Sequence, residues 1–281
     1  MKIIALPYIL QKEVVKLKKK GKTIGFVPTM GYLHGGHLSL IKRAKKDCDV
    51  VVVSIFVNPL QFGPKEDLKK YPRDLRRDVN LCRKYADIIF SPSAKSLYPD
   101  SFLTYVEVPR LSNVLCGASR PGHFRGVVTV VNKLFNIVMP DIAYFGQKDA
   151  QQAVIIKKMV SDLNIPVRIK IMPIVREKDG LAMSSRNKYL STQERKDAVV
   201  LYKSLIFARN LVKKGTVDSK SIISKVKEII QKVKTAKIDY VSIVDPAKLS
   251  LLKRINNKAL VLIAVFIGKT RLIDNMEINR I

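Results

Sequence analysis

The sequence has no tryptophan, only three histidines and three cysteines, and far fewer acidic than basic residues: 23 against 52, a net charge of +29. Without Trp, and with aromatics at 7%, the chain is not built on the stacking platforms that grip single-stranded nucleic acid. Three cysteines is an odd number, which argues against a disulfide framework and for a reducing compartment. Cys48, Cys82 and Cys116 are evenly spaced, but their flanks (KKDCDVV, VNLCRKY, NVLCGAS) share nothing else, so the spacing is not a repeat. No histidine lies at metal-ligand spacing from them, and they read as small buried hydrophobes. The longest apolar run, Ala259–Ile267, is far short of the ~20 residues that span a bilayer. The opening MKIIALPYIL is broken by Pro7 and is followed by no small-residue cleavage site. No signal peptide is expected, and a cytoplasmic location is.

What is present is ordinary globular composition: 281 residues, 47% hydrophobic and 27% charged. That length suits one large domain or two modest ones with a sizeable core. The positive charge is spread evenly. Residues 1–175 hold 29 basic and 13 acidic groups, and residues 176–281 hold 23 and 10. This is a whole-surface lysine bias and not a binding stripe, so neither a specific nucleic acid nor a membrane is expected as partner. A polyphosphate site would still gain from the field.

Strand-like runs alternate with helical patterns through the first 175 residues. Lys22–Pro28, Asp49–Val57, Asp87–Phe90, Ile142–Phe145 and Val167–Val175 read as strands. Between them lie helical patterns: one with Leu38, Ile41, Ala44 and Cys48 on a face, a charged one over Leu68–Tyr85, then Thr129–Val138 and Ala150–Leu163. DVVVVSIFV is a β-branched run, as expected of a strand covered on both faces. The alternation predicts a doubly wound, Rossmann-like parallel sheet. Two amphipathic helices, Thr192–Lys214 and Ser219–Lys234, then precede strands Ile238–Val244 and Ala259–Ile267. The change of pattern predicts a smaller α+β domain, with domains over 1–176 and 177–281.

The first strand–helix connection reads Pro28-Thr-Met-Gly-Tyr-Leu-His34-Gly-Gly-His37. In a doubly wound sheet this turn faces the ligand crevice. Its glycines let backbone amides approach a ligand, and a helix starting near His37 aims its positive end at phosphate. His34 and His37, three apart, project from one turn and can donate to a leaving polyphosphate. A metal pair would need a third ligand that the turn does not supply. A tight turn with surface histidines is the plain alternative.

This segment resembles the H-x-G-H signature of the nucleotidyltransferase superfamily. Four further segments narrow the resemblance: Phe56-Val-Asn-Pro-Leu-Gln-Phe62, Arg120-Pro-Gly-His-Phe-Arg-Gly126, Phe145-Gly-Gln-Lys-Asp-Ala-Gln-Gln152 and Ala182-Met-Ser-Ser-Arg-Asn187. In this order they resemble the pantoate–β-alanine ligase family over residues 23 to 190. The C-terminal third matches only in length and general character. One departure is Gly35, where the family frequently has an acidic residue.

The resemblance implies an ATP-dependent ligase that condenses (R)-pantoate with β-alanine through an enzyme-bound pantoyl adenylate. The substrate carboxylate is then the nucleophile, so no Ser-His-Asp arrangement is needed, and none is evident. The enzyme must instead align reactants and stabilise charge growing on pyrophosphate. By the resemblance, Met30, Gly31, Tyr32, Leu33, His34, Gly35, Gly36 and His37 form the first ATP-binding segment, with His37 as proton donor. Gly146, Gln147, Lys148 and Asp149 form the second, with Lys148 at the phosphates and Asp149 at the ribose. Met183, Ser184, Ser185 and Arg186 resemble the phosphate loop, and the Val175 backbone would meet adenine. His34, His37, Lys148 and Arg186 are the catalytic candidates. Gln61 and Gln152 are candidate pantoate ligands, since a glutamine amide offers donor and acceptor to hydroxyls, or they cap helices. Asn58 and Arg120 are secondary site candidates, and His123 reads as structural. Mg²⁺ is expected with ATP and without dedicated protein ligands. A homodimer is implied. A nucleotidyltransferase making a dinucleotide product would share the first turn and the Ser-Arg loop but would not require the segments around Gln61 and Gln152.

Overall fold

The computed structural model describes residues 1–64 and 66–280. They form two compact units: Met1–Gly146 with Ile155–Pro173, and Gln147–Val154 with the chain from Ile174 onward.

The first unit is built on strands β1 (Lys2–Ile4), β2 (Ile24–Thr29), β3 (Val50–Ile55), β4 (Ile88–Phe90), β5 (Ile142–Gly146) and β6 (Arg168–Met172). They make one parallel sheet in the order β1-β4-β3-β2-β5-β6. Val50–Val53 and Ile88–Phe90 are buried along their whole length, which is why these strands read as unbroken apolar runs. The helices are α1 (Pro7–Lys19), α2 (Gly35–Asp47), α3 (Leu75–Cys82), the single turns α4 (Ala94–Leu97), α5 (Pro109–Ser112) and α6 (Cys116–Ser119), α7 (His123–Val138) and, from Ile155 on, α8 (Ala150–Asp162), whose first residues belong to the second unit. From β2 the chain winds outward through α2 to β3 and β4, then returns to β5 on the other flank of β2. The carboxyl ends of β2 and β5 therefore flank the topological switch, where such sheets bind ligands.

The second unit carries α9 (Thr192–Asp197), α10 (Val200–Lys213), α11 (Ser219–Gln231) and strands β7 (Ala236–Val244), β8 (Lys258–Ile267) and β9 (Thr270–Asn279). The strands form an antiparallel sheet in chain order. Leu205, Ile222, Val226 and Ile230 of the helices pack with Val261, Ile263 and Val265 of β8 in one core. The doubly wound sheet and the smaller α+β unit are both as the alternation predicted.

Element limits differ in instructive places. The charged pattern over Leu68–Tyr85 is helical only from Leu75. Pro72 disfavours helical geometry in the residue before it, and Asp74 starts the helix by accepting the Arg77 N–H at 2.9 Å. Thr192–Lys214 is two helices, because the ladder tightens to i→i+3 bonds at Val199 and Leu201. The Ser191–Glu194 capping box starts the first of them. The apolar N-terminus is an edge strand, β1, paired with β4. The C-terminal segment left unassigned by pattern is β9, a full partner of β8. All three cysteines are buried, and none of them is in a disulfide. Among the described residues, no helix is long and apolar enough to cross a membrane.

Candidate functional site

In the first unit, the segment Met30–His34 leaves β2 at the switch point and turns into α2. The turn requires unusual backbone: Gly31 has φ +82° and Tyr32 φ +49°. A Cβ on Gly31 would also stand 3.0 Å from the Ile55 side chain and 3.1 Å from Asp78 Oδ2. The helix then starts at Gly35, two residues before the sequence pattern suggested, because His34 is its N-cap. His34 Nδ1 accepts the Gly36 N–H at 3.1 Å, and His37 Nδ1 accepts the His34 N–H at 3.3 Å. The rings lie 4.1 Å apart between centroids. A neutral imidazole that accepts at Nδ1 carries its proton on Nε2. The capping box thus assigns both histidines the tautomer that donates through Nε2, at the positive end of a helix.

Asp78 and Arg77 of α3 hold this turn from outside. Asp78 is fully buried and accepts the Tyr32 N–H at 2.6 Å and the Leu33 N–H at 2.8 Å. Burial pushes its carboxyl above the usual range, against the opposing pull of those two N–H groups and of Arg77. Arg77 donates to Leu33 O at 2.9 Å and stacks its guanidinium 4.7 Å from the Tyr32 ring centroid. Sequence reasoning missed both residues. Nothing in a charged helix marks which carboxylate will be buried against a turn 45 positions away.

Gln61 sits in a short 3₁₀ turn, Pro59–Gln61, packed on α7. It is 8% exposed, with Nε2 2.9 Å from Met30 Sδ, and Oε1 accepting from Asn58 Nδ2 at 3.2 Å. Asn58 is wholly engaged with protein. Its amide donates to Gln61 and to Gly126 O (3.0 Å), and its oxygen accepts from Leu60 N (3.3 Å) and Tyr98 Oη (2.9 Å). Arg120 makes a two-pronged ion pair with Glu66 and donates from Nη1 to His123 Nε2 at 3.0 Å. His123 Nδ1 in turn donates to Gln61 O at 2.8 Å. Asn58, Arg120, His123 and Tyr98 therefore form a frame around Gln61.

In the second unit, Gln147–Asp149 form a 3₁₀ turn that leads into α8, with half-buried Gln152 in the first helical turn. Lys148 Nζ lies 3.7 Å from Asp149 Oδ1. Gly146, the last residue of β5, belongs to the first unit. Val175 O accepts the Met183 N–H at 3.0 Å, which closes the hairpin 175–183. Ser184 caps the following 3₁₀ turn by accepting the Arg186 N–H at 3.2 Å, and Ser185 is buried. Asn187 donates to Glu177 and to Ala182 O, and Arg195 pairs with Glu177 and Asp179, so the approach to Met183–Arg186 is braced on both sides.

The structure thus shows a turn at the switch point with two Nδ1-capped histidines, and a glutamine framed by the Asn58, Tyr98, Arg120 and His123 side chains. Comparison with known proteins narrows the chemistry. The family model for pantoate–β-alanine ligase matches residues 2–277. A pantothenate synthetase of Fervidobacterium nodosum is 57% identical over 271 residues, 96% of this chain and 95% of its own length. One from Caldicellulosiruptor saccharolyticus is 53% identical over 280 residues, 99% of this chain and all of its own. The crystal structure of pantothenate synthetase from Thermus thermophilus superposes with a TM-score of 0.93 at 43% identity, over 98% of this chain and 99% of that one. That of pantoate–β-alanine ligase from Francisella tularensis, complexed with beta-gamma ATP and β-alanine, superposes at 0.81 and 38% identity, over 98% and 97%. With a family model spanning nearly the whole chain and relatives above 50% identity along its full length, the chain belongs to the pantoate–β-alanine ligase family.

Proposed function

We propose that this protein condenses (R)-pantoate with β-alanine at the expense of ATP, in two steps. A pantoate carboxylate oxygen attacks the α-phosphorus, and the bond to the bridging oxygen breaks to release pyrophosphate. The β-alanine amine then attacks the acyl carbon of the adenylate. The carbon–oxygen bond to AMP breaks, and the nitrogen loses a proton to give pantothenate. The observation that carries this reading is the pair of imidazoles at the end of β2, each accepting a backbone N–H at Nδ1, which leaves Nε2 as the donor of the neutral ring. Donors held in place before charge develops need no reorganisation during reaction.

In this reading Met30–His37 binds ATP, His34 and His37 donate to the phosphates, and His37 protonates the leaving group. Lys148 adds a positive charge there, and Ser184, Ser185 and Arg186 close over the triphosphate. Asp149 and the Gly146 backbone bind the ribose, and the Val175 backbone meets adenine. Gln61 and Gln152 bind the pantoate hydroxyls. Asn58 and Arg120 act through Gln61, because their hydrogen bonds already go to protein groups. Mg²⁺ would arrive with the nucleotide, held by phosphate oxygens and water. Among the described residues no three His, Cys, Asp or Glu are gathered to hold a metal. Three buried cysteines with no disulfide among them support a reducing, cytoplasmic setting. The homodimer implied by the family resemblance is checked by light scattering in solution.

The test is exchange of labelled pyrophosphate into ATP. It should require pantoate and Mg²⁺ but not β-alanine, and adding β-alanine should yield pantothenate and AMP. Folded, ATP-binding protein without pantoate-dependent exchange overturns the reading.

A further inference from the structure

Two consecutive residues in the middle of β9, Asp274 and Asn275, are each 2% exposed. Successive side chains of a strand point to opposite faces, so burial of two adjacent polar ones needs a partner on each side. Asn275 Nδ2 donates to Gln147 O and to Lys148 O, both at 2.9 Å, while its Oδ1 accepts from Gln147 Nε2 at 3.3 Å. Asp274 takes Arg176 in a two-pronged ion pair at 2.7 and 2.9 Å, and its Oδ1 also accepts the Asn275 N–H at 2.8 Å. Arg176 passes the restraint on. It donates to Gly180 O at 3.0 Å and stacks 4.4 Å from the Tyr202 ring centroid. One dipeptide thereby fastens two stretches of backbone: the turn that bears Lys148, and the hairpin that leads into Met183–Arg186.

The chemistry of the fastening is selective. Two neighbouring carbonyls need two N–H donors from one atom, which an asparagine amide supplies. An aspartate there would set oxygen against oxygen, and a glutamine would be a methylene too long. The Gln147–Asp149 turn is a single 3₁₀ turn, a conformation with poor hydrogen-bond geometry that persists only in short pieces. Its shape is therefore set from β9.

We infer that Asp274 and Asn275 are positioning residues for the nucleotide: Asn275 fixes the backbone from which Lys148 reaches the phosphates, and Asp274 anchors Arg176 at the base of the Ser184–Arg186 segment. This rests on the phosphate role proposed for Lys148. It also gives the C-terminal strand, which the sequence motifs left without a role, a part in ATP use.

The experiment is a double-mutant cycle in the full-length enzyme. Lys148→Ala, Asn275→Ala and the double variant are compared by kcat/KM for ATP in pantoate-dependent pyrophosphate exchange, with thermal melts alongside. Asn275→Ala should lower kcat/KM for ATP at least ~10-fold, within the loss that a small misplacement of a catalytic group causes. On the Lys148→Ala background the same change should cost little more, since the group it positions is gone. Asn275→Ser, which keeps one short donor, should fall between wild type and Ala, and it serves if Asn275→Ala folds poorly. Full multiplication of the two single effects would mark general structural damage and overturn the inference. So would a folded Asn275→Ala or Asn275→Ser with wild-type ATP kinetics. A silent Lys148→Ala would instead remove the phosphate role of Lys148, and the inference with it, which separates the two failures.

Discussion

Gly126 of α7 is where the frame around Gln61 is most easily broken. A Cβ at this position would stand 2.2 Å from Leu60 O, 2.4 Å from Leu60 C and 2.6 Å from Gln61 N. These are backbone atoms and cannot rotate away. The helix cannot retreat either, because Phe124 before it and Val127, Val128, Val130 and Val131 after it are buried. In Gly126→Ala the Pro59–Gln61 turn must therefore shift by about 1 Å to restore van der Waals spacing. A shift of that size breaks the Asn58 Nδ2–Gly126 O bond, now 3.0 Å long, and moves the Gln61 amide off its mark. Overpacking costs ~1–3 kcal/mol, and the better helix propensity of Ala returns up to ~1 kcal/mol. The net is a destabilisation of at most ~3 kcal/mol, and each ~1 kcal/mol lowers Tm by about 2–4 °C in a domain of this size. The larger effect falls on function, since a misplacement of about 1 Å can cost ~100-fold. Pyrophosphate exchange at saturating ATP should show kcat/KM for pantoate reduced by ~10–100-fold, with the KM for ATP near wild type. A folded Gly126→Ala with unchanged pantoate kinetics would refute the reasoning.

His34→Asn separates helix capping from catalysis. Asparagine is a strong N-cap, so the melting temperature should hold, while loss of the Nε2–H donor should slow single-turnover adenylation by ~2.7–4 kcal/mol; wild-type adenylation would remove His34 from the leaving-group side. Asp78→Asn presents an N–H₂ to one of the two turn N–H groups, and a stranded buried N–H costs ~1–3 kcal/mol. Adenylation should fall by ~10-fold or more, the rate equivalent of 1.4 kcal/mol, and a normal rate would show that the turn does not need its clamp. Burial works against the charge on Asp47, but hydrogen bonds from Arg43, Lys170 and Tyr144 outweigh it and hold the carboxyl below the usual range. A depressed folded-state pKa stabilises above the unfolded value of ~3.9 and is lost as pH falls below it. The stability gap between wild type and Asp47→Asn in urea melts should thus be full at neutral pH and shrink below about pH 4, and a pH-independent gap would contradict the assignment.

Local physics was legible in the sequence by itself. The β-branched run of β3, the helical period of α2 and the change of pattern after the last parallel strand are set by near neighbours, and they specified the sheet and the smaller unit. The H-x-G-H turn is equally local: its capping box joins residues two and three apart. Its partner Asp78, by contrast, lies 45 positions from Leu33, and Asn275 lies 127 from Lys148. Asn58 reads from the sequence as a secondary site candidate, and the structure shows what the sequence does not: Gly126 and Tyr98, far off in the chain, take up its hydrogen bonds. Gly126 itself is one glycine in a helical pattern until Leu60 is brought against it. Hydrogen bonds between distant residues leave no periodicity in a chain. The sequence determined which groups are available for the chemistry, and only tertiary structure decided which of them already give their hydrogen bonds to protein groups, because a side chain's remaining hydrogen-bonding capacity depends on what the fold has placed beside it.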